Sequence, residues 1–305
     1  MGPGKTEKRS FLPQHVRIRN EDGRIVNDRE KADTFAEIYE NKQWKCEREE
    51  PAEQGMNRTP LRETQDIKTE PVTMKELKEV IHKFMTNKAP GPNGTPIELF
   101  QWLDDEALEP FLTHINECWE KGERTEGMND ANVAVLFKKG SAENPENYRP
   151  IALLNTTYKI LASIIQRRMA EGMDKAIDDM QLGFRKGRST SQPLQIVRRT
   201  AEIVEESGAA MYMLPIDWEK AFDKVDQERL IFALERMGIP QKIIGLIKAI
   251  YEKPNFAVKD RGRTSTRRRQ RAGIRQGCPL SPYLFGILMT VIMEDVEGGL
   301  TEQEK

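Results

Sequence analysis

The stretch that most limits what this chain can become is Leu214-Pro215-Ile216-Asp217-Trp218-Glu219-Lys220-Ala221-Phe222-Asp223. An apolar run from Met211 to Ile216 ends on a carboxylate at Asp217, and Lys220, Ala221 and Phe222 then turn the chain toward a helix. A buried strand that delivers an aspartate at its end can hold a ligand on rigid backbone. Taken alone, the stretch reads as a strand followed by a polar helix start. Pro215 disturbs even that reading, because proline cannot donate to a sheet ladder and central strands avoid it.

The 305 residues allow one large domain or two smaller ones. With 37% hydrophobic and 32% charged residues, a core can form under a highly charged surface. The net charge of -1 provides no global basic field, so a nucleic-acid partner has to be argued from local clusters. Cys46, Cys118 and Cys278 are far apart and form no CxxC pair. That argues against a disulfide framework or zinc site and fits a reducing, intracellular compartment, nuclear or cytoplasmic. His15, His82 and His114 form no HExxH. No apolar run approaches the ~18 residues of a membrane span, and no apolar segment of a secretory signal follows Met1. Gly2 and Thr6 match a myristoylation pattern only loosely. Gly4-Lys5-Thr6 lacks the preceding strand and upstream glycine of a phosphate loop.

Periodicity divides the rest. Residues 1–69 read as an N-terminal extension and linker, with a turn at Asp22-Gly23 and a helix over 29–44 carrying Ala32, Phe35, Ile38 and Tyr39. Thr73 and Glu76 form a capping box for a helix lined by Leu77, Val80, Ile81 and Phe84. It stops at the Pro/Gly cluster Asn87–Gly94. Helices over 95–103 and 106–121, a buried strand at 131–137, a short strand at 151–154 and helices over 156–172 and 190–207 follow. A strand at 210–217 comes next, then a helix capped by Asp226 and another marked by Ile243, Ile244, Ile247 and Ile250. Residues 255–272 read as a basic hairpin, and an apolar helix spans 283–296.

The motifs occur in a recognisable order. Lys88-Ala89-Pro90-Gly91-Pro92-Asn93-Gly94 comes first, then Lys138, Asn147-Tyr148-Arg149-Pro150-Ile151 and Gln181-x-Gly183-Phe184. Asp217 with Lys220-Ala221-Phe222-Asp223 follows, then Arg275-Gln276-Gly277-Cys278-Pro279-Leu280-Ser281-Pro282. From about residue 70 to 298 this resembles the reverse transcriptases of non-LTR, LINE-type retrotransposons. The resemblance implies an α+β fold: right-hand polymerase fingers and an incomplete palm in residues 70–305, mostly helical with a small antiparallel palm sheet. It implies RNA-directed DNA polymerase activity by two-metal nucleotidyl transfer, with Mg²⁺ ions ~3.5–4 Å apart. Its partners would be an RNA template, a DNA primer and deoxynucleoside triphosphates, with no membrane.

The same resemblance assigns residues. Asp217 and the backbone carbonyl of Trp218 would hold metal, with Asp217 catalytic. Lys138 and Arg149 would hold the triphosphate, a point charge and a two-pronged donor respectively. Phe222 would pack under the sugar and exclude the ribose 2′-OH. Gln276 and Gly277 would lie against the nascent base pair, where a side chain on Gly277 would collide with nucleotide or template. Gln181, Gly183, Phe184, Arg185 and Arg275 would contact template and primer. Independently of the resemblance, Asp223 and Asp226 read as residues that cap and position the following helix. The density of arginines in the hairpin from Arg261 to Arg271 suits it to follow a nucleic-acid backbone.

Two departures qualify these expectations. The [Phe/Tyr]-x-Asp-Asp block and thumb of the family do not occur by Lys305, and Asp104-Asp105, Asp178-Asp179 and Glu294-Asp295 lack its context. Pro215 stands where the family has aliphatic residues. The expectation is a truncated piece with negligible polymerase activity on its own. The alternatives are a nucleic-acid-binding remnant without chemistry, or a group II intron/maturase-type enzyme. The Lys88–Gly94 loop and the Arg275–Pro282 block favour the retrotransposon type.

Overall fold

The computed structural model describes residues 17–46 and 58–299. The patterns at Gly2–Thr6 and residues 47–57 of the expected linker lie outside the described residues.

The N-terminal part is built as its periodicity suggests. A turn at Asp22-Gly23, with Gly23 at φ 77°, lets Arg19 bridge Ile25. Helix α1 (Lys31–Ile38) runs on into one π-helical turn, Tyr39–Gln43. Phe35, Tyr39 and Trp44 enter the same core cluster as the residues after position 70. Residues 17–46 are therefore packed into the body of the molecule.

Helix α2 (Met74–Lys83) starts where the capping box requires, with Thr73 Oγ1 accepting from the Glu76 amide at 3.2 Å. Leu77, Val80 and Ile81 form its buried face. Helix α3 (Ile97–Trp102) and helix α4 (Asp105–Lys121) follow. Asp104 caps α4 through the Ala107 amide, so the Asp104-Asp105 pair is a helix start. The Pro/Gly loop between α2 and α3 is ordered by close packing. A Cβ on Gly91 would overlap the backbone of Leu154 and Asn155. The Asn93 amide donates to Asn155 Oδ1 at 3.0 Å, and Thr156 Oγ1 donates to the Thr95 carbonyl at 2.6 Å.

Strand β1 (Ala131–Phe137) is the centre of the sheet. It pairs antiparallel with β2 (Tyr148–Leu154), Phe137 opposite Tyr148. On its other side it pairs parallel with β3 (Asn255–Asp260), Ala131 opposite Phe256. The short strands β4 (Arg263–Thr264) and β5 (Arg268–Arg269) both pair antiparallel with β3. The expected purely antiparallel sheet is thus a mixed one. The connection from β2 to β3 is long and helical, and such a connection can return a strand parallel to its neighbour, as a tight hairpin cannot.

Helix α5 (Thr156–Met173) buries Ile160, Leu161, Ile164, Ile165 and Met169 and packs on α2. Helix α6 (Ser191–Ser207) has no buried residue. Helices α7 (Gln227–Arg236), α8 (Gln241–Tyr251) and α9 (Ser281–Gly299) complete the apolar core. None of the helices in the described residues is long and apolar enough to cross a membrane.

The strand expected over 210–217 does not form; residues 209–218 are irregular. Tyr212, Met213, Leu214 and Ile216 are exposed. A strand exists only through its ladder, and among the described residues none lies alongside to pair with it. Pro215 also removes a donor from its middle.

Candidate functional site

The β1–β2 hairpin carries two cations to one edge of the molecule. Its turn is closed by the Lys138 amide donating to the Asn147 carbonyl at 2.9 Å. The Tyr148 hydroxyl donates to Ala142 O at 2.8 Å, and the Asn147 side chain donates to Ser141 O at 2.9 Å. Lys138 and Arg149 are exposed, and no ion pair or side-chain hydrogen bond occupies either among the described residues.

The turn at Gln276-Gly277 runs beside β2. The Ala152 amide donates to Gln276 O at 2.9 Å. Gly277 sits at φ 109°, and a Cβ there would stand 2.7 Å from Ala152 O. The collision expected between a Gly277 side chain and nucleotide or template is therefore, in this structure, a collision with the protein's own β2 backbone.

Facing this edge, Phe222 is half-buried between two rings: stacked on Phe285 at 5.1 Å and edge-on to Phe184 at 6.1 Å. Phe184 (φ 63°) and Lys220 (φ 51°) have left-handed backbones, which costs a non-glycine residue energy and is retained where surroundings over-determine it. Together these elements enclose a cleft of about 780 Å³. Among its lining residues are Lys138, Arg149, Phe184, Asp217, Trp218, Phe222, Gln276 and Gly277. Gln181, Gly183 and Arg185 are not among the cleft-lining residues.

Two expected template contacts are turned inward. Arg185 is buried, and its guanidinium donates to Asp174 Oδ1 and Oδ2, Asp174 O and Asp178 O at 2.7–3.2 Å. Those bonds use the donors a phosphate would need. Arg275 reaches the cleft wall but is only 2% exposed, with its guanidinium 5.8 Å from the Tyr158 ring. Burial pushes its pKa down, with nearby Tyr158 and Tyr251 opposing. The arginine hairpin is partly neutralised from within. Arg268 pairs with Glu40 at 2.8 Å and Arg267 pairs with Asp130, because α1 and the start of β1 lie against β3 and its return.

Asp217 and Trp218 are exposed on the irregular segment, not on a strand end. Among the described residues, no three His, Cys, Asp or Glu side chains are grouped to hold a metal ion. Divalent ions of the Mg²⁺ type need several oxygen ligands, so these residues alone do not make up a two-ion site.

Asp223 is the residue whose place the sequence reading missed. Asp226 does cap α7, accepting from the Glu228 and Arg229 amides. Asp223 does not cap: it is buried and accepts from Gln43 Nε2, Trp44 Nε1 and Gln276 Nε2, each at 2.9 Å. Burial raises its pKa, and hydrogen bonds from Trp44 and Gln43, the Lys220 charge and the Gln276 bond oppose the rise. The signal was present in part, since one helix has one N-cap and a second aspartate three residues earlier needs other donors.

The family profile described as "Reverse transcriptase (RNA-dependent DNA polymerase)" matches residues 137–302, a range that includes the cleft's lining residues other than Gln43 and Leu136. The chain belongs to the reverse transcriptase family. Among its relatives, a transposon TX1 uncharacterized 149 kDa protein of Xenopus laevis is 31% identical over 71% of this chain and 17% of that protein. The RNA-directed DNA polymerase from mobile element jockey of Drosophila funebris is 29% identical over 72% of this chain and 24% of its own length. A probable RNA-directed DNA polymerase from transposon BS of Drosophila melanogaster is 30% identical over 75% of this chain and 25% of that protein. The reverse transcriptase blocks are thus those of the non-LTR retrotransposon type. The chain spans about a quarter or less of the length of these relatives. Gln43 and Trp44, which bind Asp223, lie outside the residues the family profile matches.

Proposed function

We propose that the cleft takes the incoming deoxynucleoside triphosphate of an RNA-directed DNA polymerase, acting on an RNA template with a DNA primer. One observation carries the reading: Lys138, Arg149, Phe222, Gln276 and Gly277 come from separate sequence blocks and line one cleft. In this reading the β1–β2 hairpin is part of the fingers, and residues 217–223 with 276–278 belong to the palm. Arg149 suits two-pronged contact with a phosphate, and Lys138 adds a point charge. Phe222, fixed between Phe184 and Phe285, presents a rigid ring where a ribose 2′-OH would need room. Asp217 and the Trp218 carbonyl are the candidate ligands for a divalent ion such as Mg²⁺. The described residues do not by themselves complete an ion site. Phe184 backs Phe222, while Gln181 and Gly183 form the turn beside it that would meet template or primer.

Equilibrium binding tests the reading. Titrating the full chain with dTTP and with its ribose counterpart, 5-methyl-UTP, is expected to give tighter binding of dTTP. Lys138→Ala and Arg149→Ala are expected to weaken both nucleotides, and Phe222→Ala to narrow the gap between them. Failure to bind dTTP, or equal binding by the wild type and both cation variants, would overturn it.

A further inference from the structure

The Asp223 carboxylate joins three parts of the chain that are remote in sequence. Its Oδ2 accepts from Gln43 Nε2 and Gln276 Nε2, and its Oδ1 accepts from Trp44 Nε1. The first partner is 180 residues upstream of it, and the last is 53 residues downstream. An ionised carboxylate only accepts hydrogen bonds. Gln276 must therefore turn its amino end toward Asp223, which leaves its carbonyl Oε1 as an acceptor on a residue that lines the cleft. Among the described residues, no other hydrogen bond holds the Gln276 side chain.

The backbones beneath this link have little slack. The Gly273 amide donates to Val225 O at 2.7 Å, and the Ile274 amide donates to Phe222 O at 2.8 Å. Gly273 has φ 84°, and a Cβ there would stand 2.7 Å from Asp223 O. From the other side, the Trp44 ring packs edge-on to Phe256 at 4.6 Å. Glu40 holds Arg268 at 2.8 Å, and Lys42 holds Glu146, in the turn before Arg149, at 2.9 Å. Residues 39–44 are thus anchored to both walls of the cleft.

We infer that Asp223 is a positioning residue that sets the Gln276 amide for the nucleotide, with Gln43 and Trp44 of the N-terminal segment fixing Asp223. The nucleotide cleft then depends on a segment that precedes the family-matched region. This rests on the reading of the cleft as a triphosphate site.

A double-mutant cycle on the full chain tests it, with dTTP as the probe and thermal melting as the check on folding. Asp223→Asn and Gln276→Leu are each expected to weaken dTTP about tenfold, the size of a lost hydrogen bond to a charged group. The double variant is expected to be no weaker than either single one, because both break the same link. Trp44→Phe, which keeps an aromatic ring and removes one donor, is expected to weaken dTTP by a smaller factor. In proton–nitrogen spectra, the Trp44 indole N–H is expected to move upfield in Asp223→Asn as the carboxylate acceptor is lost. Lys138→Ala supplies the control, its effect adding independently to that of Asp223→Asn. If Lys138→Ala weakens dTTP while Asp223→Asn and Gln276→Leu do not, or do so additively, the cleft reading stands and the positioning inference is overturned. If the wild type does not bind dTTP at all, the cleft reading fails and the inference fails with it.

Discussion

The carbonyl oxygen of Ala152 lies 2.7 Å from where a Cβ on Gly277 would sit, and the Ala152 amide is bonded to Gln276 O at 2.9 Å. The turn that carries Gln276 is thereby held against β2 with no room for a side chain. Gly277→Ala is expected to destabilise the chain by about 1–3 kcal/mol, from a positive φ forced on an L residue and from the backbone overlap. Thermal or urea unfolding measures this. A variant that melts with the wild type would show that the contact is relieved at no cost.

Tyr39 is fully buried in the N-terminal segment, and its hydroxyl has no hydrogen-bond partner among the described residues. Burial and the nearby Asp223 carboxylate raise its pKa far above the phenol range. An unsatisfied buried hydroxyl costs energy that a hydrogen atom in its place does not. Tyr39→Phe is therefore expected to leave stability unchanged or raise it by up to about 1 kcal/mol. A fall of several degrees in melting temperature would mean that the hydroxyl has a partner in solution.

Asp223 supplies a pH dependence with a definite sign. Its folded pKa is raised, chiefly by burial, so the folded chain binds this proton more tightly than the unfolded chain does. Its contribution to stability is fully present below the ordinary carboxylate value near ~4 and is lost as pH rises through the raised folded value. Asparagine at this position does not titrate. The stability of the wild type relative to Asp223→Asn is therefore expected to increase as pH falls from 7 toward the unfolded value. Denaturant unfolding of both proteins across that range measures the difference, and a flat or opposite trend would contradict the raised pKa.

The elements that can be read from the sequence are those whose apolar periodicity is satisfied by packing close at hand. The apolar series Leu161, Ile164, Ile165 and Met169 marks α5, and the run from Ala131 to Phe137 coincides with β1. The run from Met211 to Ile216 has the composition of a strand but no ladder partner among the described residues, and composition cannot supply one. Site residues divide in the same way. Lys138, Arg149, Phe222 and Gln276 were found by motif and do share a cleft. Asp223 was misread because its donors, Gln43 and Trp44, are brought to it only by the tertiary fold. Arg185 shows the reverse: the resemblance assigns it to template and primer, while Asp174 and local carbonyls take its donors in the fold.

The two apolar runs should also differ in dynamics. The β1 amides lie in a ladder with strands on both sides, whereas residues 211–217 have neither ladder nor cover among the described residues. Amides at 211, 212, 213, 214, 216 and 217 are expected to exchange with solvent deuterium near the unprotected rate. Those of 131–134 are expected to be among the slowest in the chain. Protection of 211–217 comparable to that of β1 would show that the segment is paired in solution.

Arg168 ties the arm before α2 to the body of the fold. It is only 3% exposed, and its guanidinium stacks 4.4 Å from the Trp119 ring. It donates to both carboxylate oxygens of Glu76 at 2.8 and 2.6 Å and to the carbonyls of Lys68, Glu70 and Pro71. Arg168→Met keeps a long apolar side chain over Trp119 but leaves Glu76 and these carbonyls without their donor. The cost is expected to be about 3 kcal/mol, the lower end for breaking a buried pair, because Glu76 retains some access to water. Adding Glu76→Leu removes the stranded carboxylate, so the double variant is expected to recover part of the loss, while the carbonyls remain unpaired. Urea unfolding of the two single variants and the double variant measures that coupling. A double variant whose loss equals the sum of the single losses would mean that Arg168 acts through Trp119 and the arm carbonyls alone.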